Sequence, residues 1–231
     1  MNYDLILVAD TETTGLGSDA GVVEYAHAVC RLIEIDGNEQ LEIVSEENSL
    51  INPGHPIPVQ ASNVHGITDD MVADQPALGQ YLAQVFADKP DNIMMIGHNF
   101  ITYDWKYLRD HFPRPPVLGC TLTAARKFLD LPNNKLETIY EQTGGPAESA
   151  HRAPADVRMT VHIINHMLKS VSWAMLHEAL TTRPPLKMPF GKHKGKLVSE
   201  LPRDYIEWAL ANMTGLRDEL REAMEKAYNG G

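Results

Sequence analysis

The alternation of apolar and polar residues predicts three strands near the start of the chain, at residues 5–9, 22–35 and 41–50. The first is an uninterrupted apolar run, as expected for a buried strand, and Asp10 and Glu12 follow it. A strand repeats every two residues, so these carboxylates are expected on one face. Asp36-Gly37-Asn38 is a strong hairpin signal between the second and third strands. The pattern therefore predicts an antiparallel meander.

Further along the chain the apolar spacing changes to that of amphipathic helices. Helices are predicted over residues 59–65, 68–72, 76–87, 100–111, 122–129, 135–142 and 154–169. Short apolar runs at residues 93–97 and 117–121 are predicted strands. Strands that are first antiparallel and then alternate with helices indicate an α/β fold with a mixed sheet flanked by helices.

A small second unit is predicted after the linker-like stretch 181–185. The predicted boundaries are 1–180 for the main domain and 187–231 for a C-terminal module with helices at 201–210 and 216–228. The module includes Gly191-Lys192-His193-Lys194-Gly195-Lys196, the most basic short run of the chain. This run is either a solvated loop or a nucleic-acid contact, and its clustering in so acidic a chain slightly favours phosphate contact.

Composition limits the class of protein. With 43 % hydrophobic and 22 % charged residues, the chain resembles an ordinary soluble globular protein. Its formal net charge of -11 counts against a nucleic-acid partner, although bound metal ions would neutralise part of the acid.

Cysteine usage and apolar length indicate the environment. Cys30 and Cys120 are too few and too isolated for a disulfide framework or a zinc knuckle, which favours a reducing cytoplasm. No apolar stretch approaches the length of a membrane span, and no basic n-region precedes the first apolar run, so neither insertion nor secretion is expected. The oligomeric state stays open, and a homodimer is compatible with the sequence.

Four carboxylates are predicted to face the interior near the ends of their elements: Asp10, Glu12, Asp104 and Asp156. Asp104 falls on the apolar face of the predicted helix 100–111, and Asp156 leads the apolar stripe of helix 154–169. Uncompensated buried anions cost several kcal/mol each or become protonated. Their hard oxygen ligands suit Mg²⁺, with Mn²⁺ as a substitute, rather than zinc. A pair of such ions can stabilise the attacking and leaving oxygens of a phosphoryl displacement, so the pattern predicts a metal-dependent nuclease.

A histidine lies just before the last of these acids. His151 precedes Asp156 by five positions and lies outside the helix, because Pro154 fits only its first turn. Histidine exchanges a proton near neutral pH. His151 is therefore the predicted general base that deprotonates the attacking water.

Three segments carry a family resemblance. Asp10-Thr11-Glu12-Thr13-Thr14-Gly15, His98-Asn99 with Tyr103-Asp104, and His151-x-Ala153-x-x-Asp156 resemble the three exonuclease motifs of the DEDDh, or DnaQ-like, 3'-5' exonucleases. The resemblance covers roughly residues 4–170 and includes a secondary signature at residues 57–68. Residues 190–196 and 205–208 resemble the tail of the exodeoxyribonuclease X group of this family.

The resemblance implies a ribonuclease-H-like sheet of strand order 3-2-1-4-5, two divalent ions held by the four acids, and His151 as the base. It implies release of nucleoside 5'-monophosphates from 3' ends, with single-stranded DNA as the substrate by likeness to the exodeoxyribonuclease X group. By matching position, the residues expected to contact substrate are Thr13, Leu16, Gln60, His65 and Asn99. Asp104 follows Asn99 by five positions, one more than is usual in the family.

Other interpretations remain open at this stage. A single Asp at a strand end is more often a cap or turn residue than a metal ligand, and Glu24 and His98 are interpreted as structural residues. An exoribonuclease of the same superfamily would carry the same acids. A non-catalytic proofreading or nucleic-acid-binding subunit is a third possibility, against which the intact acids and His151 argue.

Overall fold

Five strands form one mixed sheet in the computed structural model, which describes residues 3–17, 19–112, 114–148, 151–183, 186–216 and 218–230. The strands are β1 (Leu5–Thr13), β2 (Val22–Ile35), β3 (Asn38–Leu50), β4 (Ile93–Gly97) and β5 (Val117–Cys120). Their order is β3-β2-β1-β4-β5. β1 to β3 pair antiparallel, whereas β4 lies parallel to β1 and to β5. The predicted fold class and strand order are confirmed.

Eight helices surround this sheet within the described part of residues 1–182, which form one unit of the chain. They are α1 (Val59–His65), α2 (Asp69–Val72), α3 (Leu78–Val85), α4 (Trp105–Leu108), α5 (Thr121–Phe128), α6 (Leu136–Gln142), α7 (Ala153–Leu168) and α8 (Trp173–Thr181). The 16-residue α7 has Pro154 in its first turn, as expected, and packs across β1, β2 and β3.

The central strand β1 separates two apolar layers. Ile6 and Val8 belong to the cluster that includes the buried face of α7. Leu7 and Ala9 belong to a second cluster, which includes Phe100 after β4. Because side chains alternate along a strand, Asp10 and Glu12 continue the α7 side of β1.

The predicted helix 100–111 is wrong. Residues 99–104 form turns, and only α4 and a 3-10 helix at Arg109–His111 are helical. The cause is Asn99, which adopts a left-handed backbone with φ of 59°. Its carbonyl accepts hydrogen bonds from the N–H groups of Thr102 and Tyr103, so the chain turns tightly before Asp104.

Helix α8 was not predicted. The side chain of Ser172 accepts a hydrogen bond from the Met175 N–H at 3.4 Å and caps the helix. Trp173, Leu176 and Leu180 are buried on its inner face, which contacts β5 and α5. The helix thereby extends the apolar layer on the α7 side of the sheet.

Residues 183–231 form a second unit with its own core. An antiparallel bridge joins Lys187 to Leu197, and a 3-10 helix at Val198–Glu200, α9 (Arg203–Asn212) and α10 (Asp218–Asn229) follow. The core of this unit includes Met188, Val198, Leu201, Ile206, Ala209, Leu220 and Met224. Pro184 and Pro185 of the expected linker, and Arg217 in the last predicted helix, lie outside the described residues.

No helix in the described part of the chain combines the length and apolar character that crossing a membrane requires.

Candidate active site

Three carboxylates converge where β1 meets the first turn of α7. Asp10, Glu12 and Asp156 each offer an oxygen, and these oxygens lie within 4.8 Å of one another. The period of the strand places Asp10 and Glu12 on one side. The packing of α7 across that side brings Asp156, in its first helical turn, to the same place. Met159, Thr160, Ile163 and Met167 form the buried stripe behind Asp156, as predicted.

Asp104 approaches β1 through Thr11, which alternates with Asp10 and Glu12 along the strand. Its Oδ1 accepts hydrogen bonds from the backbone N–H of Thr11 at 3.1 Å and from Thr11 Oγ1 at 2.6 Å. Asp104 is 2 % exposed and is not a member of the group of three. The prediction that it faces inward is confirmed, but a hydrogen-bonded turn, not a helix face, positions it.

Burial and mutual repulsion oppose ionisation of these acids. Burial, and then the neighbouring carboxylates, raise the pKa of Asp10 well above its usual range and that of Glu12 to about 8. Burial raises the pKa values of Asp104 and Asp156 as well, although the hydrogen bonds from Thr11 oppose the shift at Asp104. Asp156 Oδ1 is buried and has no hydrogen-bond partner among the described residues. A cluster of hard oxygen donors that lacks positive charge fits a divalent cation.

An ion pair with one buried member, Glu24, lies beside the cluster. Glu24 is directly opposite Glu12 on β2 and is fully buried. Arg152 Nε donates to Glu24 Oε2 at 2.9 Å, and Arg152 Nη2 donates to Oε1 at 2.6 Å. The Ala153 N–H donates to the same Oε2 at 3.0 Å, so Glu24 also caps the first turn of α7. Glu24 is thus a structural residue, as interpreted, that ties β2 to the helix carrying Asp156.

His151 lies on the loop that enters α7, with a left-handed φ of 66°. Its side chain is about half exposed, and Nε2 lies 3.3 Å from Glu137 Oε1 of α6. The backbone N–H of His151 acts to lower the pKa of Asp156, against the larger effect of burial. The structure therefore links His151 to the cluster through its backbone, and its ring contacts a glutamate that the sequence analysis did not select.

The loop after β1 presents Leu16 to solvent. Leu16 is 79 % exposed. Thr13 Oγ1 donates to the Gly15 carbonyl at 2.9 Å, and the hydroxyls of Tyr103 and Tyr107 donate to the same carbonyl, each at 3.2 Å. These bonds restrain the loop, so Leu16 projects from a fixed base.

A further contact restrains the same loop. Lys106 Nζ donates to the Leu16 carbonyl at 3.1 Å and lies over the rings of Tyr103 and Tyr107. The family resemblance named Thr13 and Leu16 as substrate contacts and included Tyr103 in a motif, but it gave Tyr103 no role in this loop and did not indicate Lys106 or Tyr107. Their signal in the sequence is the run Tyr103-Asp104-Trp105-Lys106-Tyr107, whose hydroxyl and amino groups follow a candidate ligand.

The other predicted substrate contacts are placed as follows. Gln60 is exposed on α1, whereas His65 at the end of α1 is buried and lies against the backbone of Thr13. Burial lowers the pKa of His65, and its Nδ1 accepts a hydrogen bond from the Ile67 N–H at 3.0 Å. Asn99 is exposed at the turn that precedes Asp104. The structure thus joins His65 to the Thr13 loop and gives Asn99 a conformational role.

Comparisons with known proteins agree with this geometry. A family model described as "Exonuclease" matches residues 7–164. Exodeoxyribonuclease 10 of Escherichia coli (strain K12) is 30 % identical over 229 residues, which cover 94 % of this chain and 96 % of that protein. The DNA polymerase III subunit epsilon of Aquifex aeolicus is 30 % identical over 174 residues, which cover 71 % and 81 %. A model described as "Putative quorum-sensing-regulated virulence factor" matches residues 177–226.

Solved structures show the same fold. Exonuclease X in complex with 5' overhanging duplex DNA has a TM-score of 0.58 and 26 % identity, and the match covers 76 % of this chain and 97 % of that one. The zinc-bound form of an exonuclease I complex with single-stranded DNA from E. coli has a TM-score of 0.59 at 17 % identity, covering 77 % and 42 %. The second likeness concerns the fold alone.

The raised pKa values predict a pH-dependent stability in the absence of metal. Between its ordinary pKa near 4.5 and about 8, Glu12 keeps its proton in the folded chain but not in the unfolded chain. The free energy of unfolding should therefore fall as the pH rises through this window. Thermal melts in EDTA are expected to show a lower melting temperature at about pH 8 than at about pH 5. Mn²⁺ should restore more stability at the higher pH.

Glu12→Gln is the matched control for these melts, because it removes the titration and keeps the shape of the side chain. It should flatten the pH dependence and shrink the gain from Mn²⁺. Equal slopes in the two proteins would contradict the electrostatic account of the cluster.

The Glu24–Arg152 pair should respond asymmetrically to substitution. The Arg152 side chain is 45 % exposed and can turn to water, whereas Glu24 cannot. Glu24→Gln is therefore expected to cost about 1–2 kcal/mol, and Arg152→Gln about 3 kcal/mol because it leaves a buried anion unpaired. The double variant should recover part of that loss. Urea denaturation of the four proteins measures the coupling, and strictly additive losses would show that the pair does not act as a unit.

Proposed function

We propose, from the premise that the chain belongs to the DnaQ-like exonuclease family, that it is a metal-dependent 3'-5' exonuclease acting on single-stranded DNA. The observation that carries the proposal is the convergence of the Asp10, Glu12 and Asp156 oxygens within 4.8 Å, with Asp156 buried and none of the three in an ion pair with a cationic side chain of the described residues. The expected products are nucleoside 5'-monophosphates.

The acids are the proposed ligands of two Mg²⁺ ions, with Mn²⁺ expected to substitute. Asp10, Glu12 and Asp156 would hold them together with Asp104, whose charge acts on Asp10. Bound ions supply the positive charge that stabilises the attacking and leaving oxygens of a phosphodiester. The hydrogen bonds from Thr11 would hold the Asp104 carboxylate in position, whether or not a metal ion is bound.

His151 is the proposed general base. Its ring is about half exposed on the loop next to Asp156, so it can meet a water molecule that approaches the scissile phosphate. Glu137, 3.3 Å from Nε2, would stabilise the imidazolium once the ring has accepted a proton. The left-handed backbone at His151 permits the loop to turn sharply into α7 beside Asp156.

The loop after β1 is the proposed binding site of the 3'-terminal nucleotide. Leu16 presents an exposed apolar side chain that can lie against a base, and the hydroxyls of Tyr103 and Tyr107 fix its position. Thr13 and His65 lie at the base of this loop, and Gln60 and Asn99 are exposed near the ends of their elements. A wedge of this kind acts on an unpaired terminal base, which supports a single-stranded substrate.

Product analysis tests the proposal. DNA labelled at its 5' end should shorten in single-nucleotide steps in Mg²⁺ and stay intact in EDTA, with 5'-monophosphates released. Matched single-stranded RNA and duplex DNA are run beside it. Faster digestion of RNA would favour the exoribonuclease, and binding without cleavage of any substrate would favour the non-catalytic subunit. Internal cuts or activity in EDTA would refute the mechanism.

Two variants separate the base from the ligands. His151→Ala should lower kcat by about 10²- to 10⁴-fold and leave Mn²⁺ binding unchanged, because a base is not a ligand. Asp156→Asn should weaken both Mn²⁺ binding and kcat, because it removes a ligand charge. Single-turnover rates and Mn²⁺ titration measure the two effects. Full turnover in His151→Ala at neutral pH, or normal titration of two ions by Asp156→Asn, would contradict the respective role.

A further inference from the structure

The two units of the chain differ in charge. Residues 1–182 contain 11 Lys and Arg against 24 Asp and Glu, whereas residues 183–231 contain nine against seven. The net charge of the whole protein is therefore negative, although its second unit has a small excess of positive charge. Since polyanions bind where cations cluster, the distribution matters more than the net charge.

The cations of the second unit are concentrated on one turn, residues 187–197, which we call the lysine hairpin. The Met188 N–H donates to the Lys196 carbonyl and the Gly195 N–H to the Met188 carbonyl, each at 2.8 Å. Gly191 and Gly195 take left-handed φ values of 73° and 86° that close the turn. The backbone thus holds the hairpin without using the ammonium groups of its lysines.

Alternate residues of the lysine hairpin point in opposite directions. Lys192, Lys194 and Lys196 are exposed, whereas His193 between them is buried at 7 % exposure and packs against the ring of Tyr205, 4.3 Å away. The three ammonium groups form no ion pair with an acidic side chain in the described ranges. Arg152 and Arg158 of the first unit, by contrast, are both paired with glutamates.

Exposed aromatic rings lie on the same unit. Phe190, which precedes the turn, is 44 % exposed, and Trp208 of α9 is 51 % exposed. Tyr205 connects the two features, since its ring contacts His193 and lies 6.0 Å from the ring of Trp208. Large aromatic side chains are normally buried, so their exposure next to unpaired lysines needs a reason.

We propose that the lysine hairpin together with Phe190 and Trp208 binds single-stranded nucleic acid, with the lysines on consecutive phosphates and the rings against unpaired bases. Stacking on aromatic side chains requires bases that are not paired with a second strand, which selects a single strand over a duplex. The inference rests on the proposed function for its choice of polymer. It adds a binding surface outside the catalytic cluster, one that would retain the part of a strand that the active site does not hold.

The magnitudes follow from the charge count. On a single strand each phosphate contact contributes about 0.7 to the slope of log K against log salt, so the loss of three contacts should reduce the slope by about two. Removing a stacking ring should weaken binding by roughly 5- to 100-fold.

The test uses the full-length protein and fluorescently labelled oligo-dT of about 30 nucleotides. Anisotropy is measured in EDTA, where no hydrolysis occurs, over a range of salt concentrations. Lys192→Gln/Lys194→Gln/Lys196→Gln is compared with the matched control Lys89→Gln/Lys127→Gln/Lys169→Gln, which removes the same charge from the first unit. We expect weaker binding and the shallower slope for the hairpin variant alone. A slope equal to that of the control would overturn the proposal.

The same binding assay tests the aromatic rings by comparing Trp208→Ala with Trp208→Phe, which keeps a ring. Trp208→Ala should weaken binding and Trp208→Phe should largely retain it. Equal affinity of the two variants would overturn the stacking role, and tighter binding of duplex than of single strand would overturn the choice of ligand. An RNA oligomer of the same length distinguishes the two polymers that share this chemistry.

Turnover of a substrate of about four nucleotides separates this inference from the proposed function. The lysine variant should digest it at the wild-type kcat, because kcat is reached with the active site saturated and the three lysines have no part in the proposed reaction. Absence of hydrolysis by the wild-type protein would refute the proposed function and leave the binding comparison valid. Hydrolysis with unchanged binding in the lysine variant would refute the inference alone.

Discussion

The constraint on which the site depends is the repulsion among three carboxylates that meet where β1 ends and α7 begins, two of them partly buried and Asp156 buried. Asp10, Glu12 and Asp156 are held together by a central strand and a long helix, neither of which can relax outward without opening the core. The packing of β1 against α7 therefore maintains the unfavourable desolvation of these anions. A divalent cation converts that cost into binding free energy, because the oxygens need no rearrangement to meet it.

Separate contacts on the two sides of β1 fix the positions of the acidic residues. On one side, Glu24 and Arg152 lock β2 to the first turn of α7 and so set the position of Asp156. On the other, Thr11 binds Asp104 through both its backbone and its hydroxyl. Arg152 thus lies next to the acidic cluster but pairs with Glu24, so among the described residues no cationic side chain forms an ion pair with Asp10, Glu12 or Asp156.

Prediction from the sequence succeeded best in elements whose apolar residues repeat regularly, with the period of a strand or of a helix. The apolar run of β1 and the stripe of α7 gave the faces of Asp10, Glu12 and Asp156, because strand and helix periods leave little freedom. Asp104 was placed correctly for a wrong reason, since helical spacing continued through residues that the left-handed Asn99 turns. The burial of Glu24 could not be predicted, because its partner is 128 positions away and no local pattern marks the pair.

The β2–β3 hairpin has a consequence for association. β3 is an edge strand, and an unpaired edge invites a second chain to add to the sheet. Here it carries Glu39, Glu42, Glu46 and Glu47 along its length. Two copies joined along this edge would bring their glutamates close together, and this repulsion opposes edge-to-edge pairing even though Glu46 and Glu47 have cationic partners within the chain.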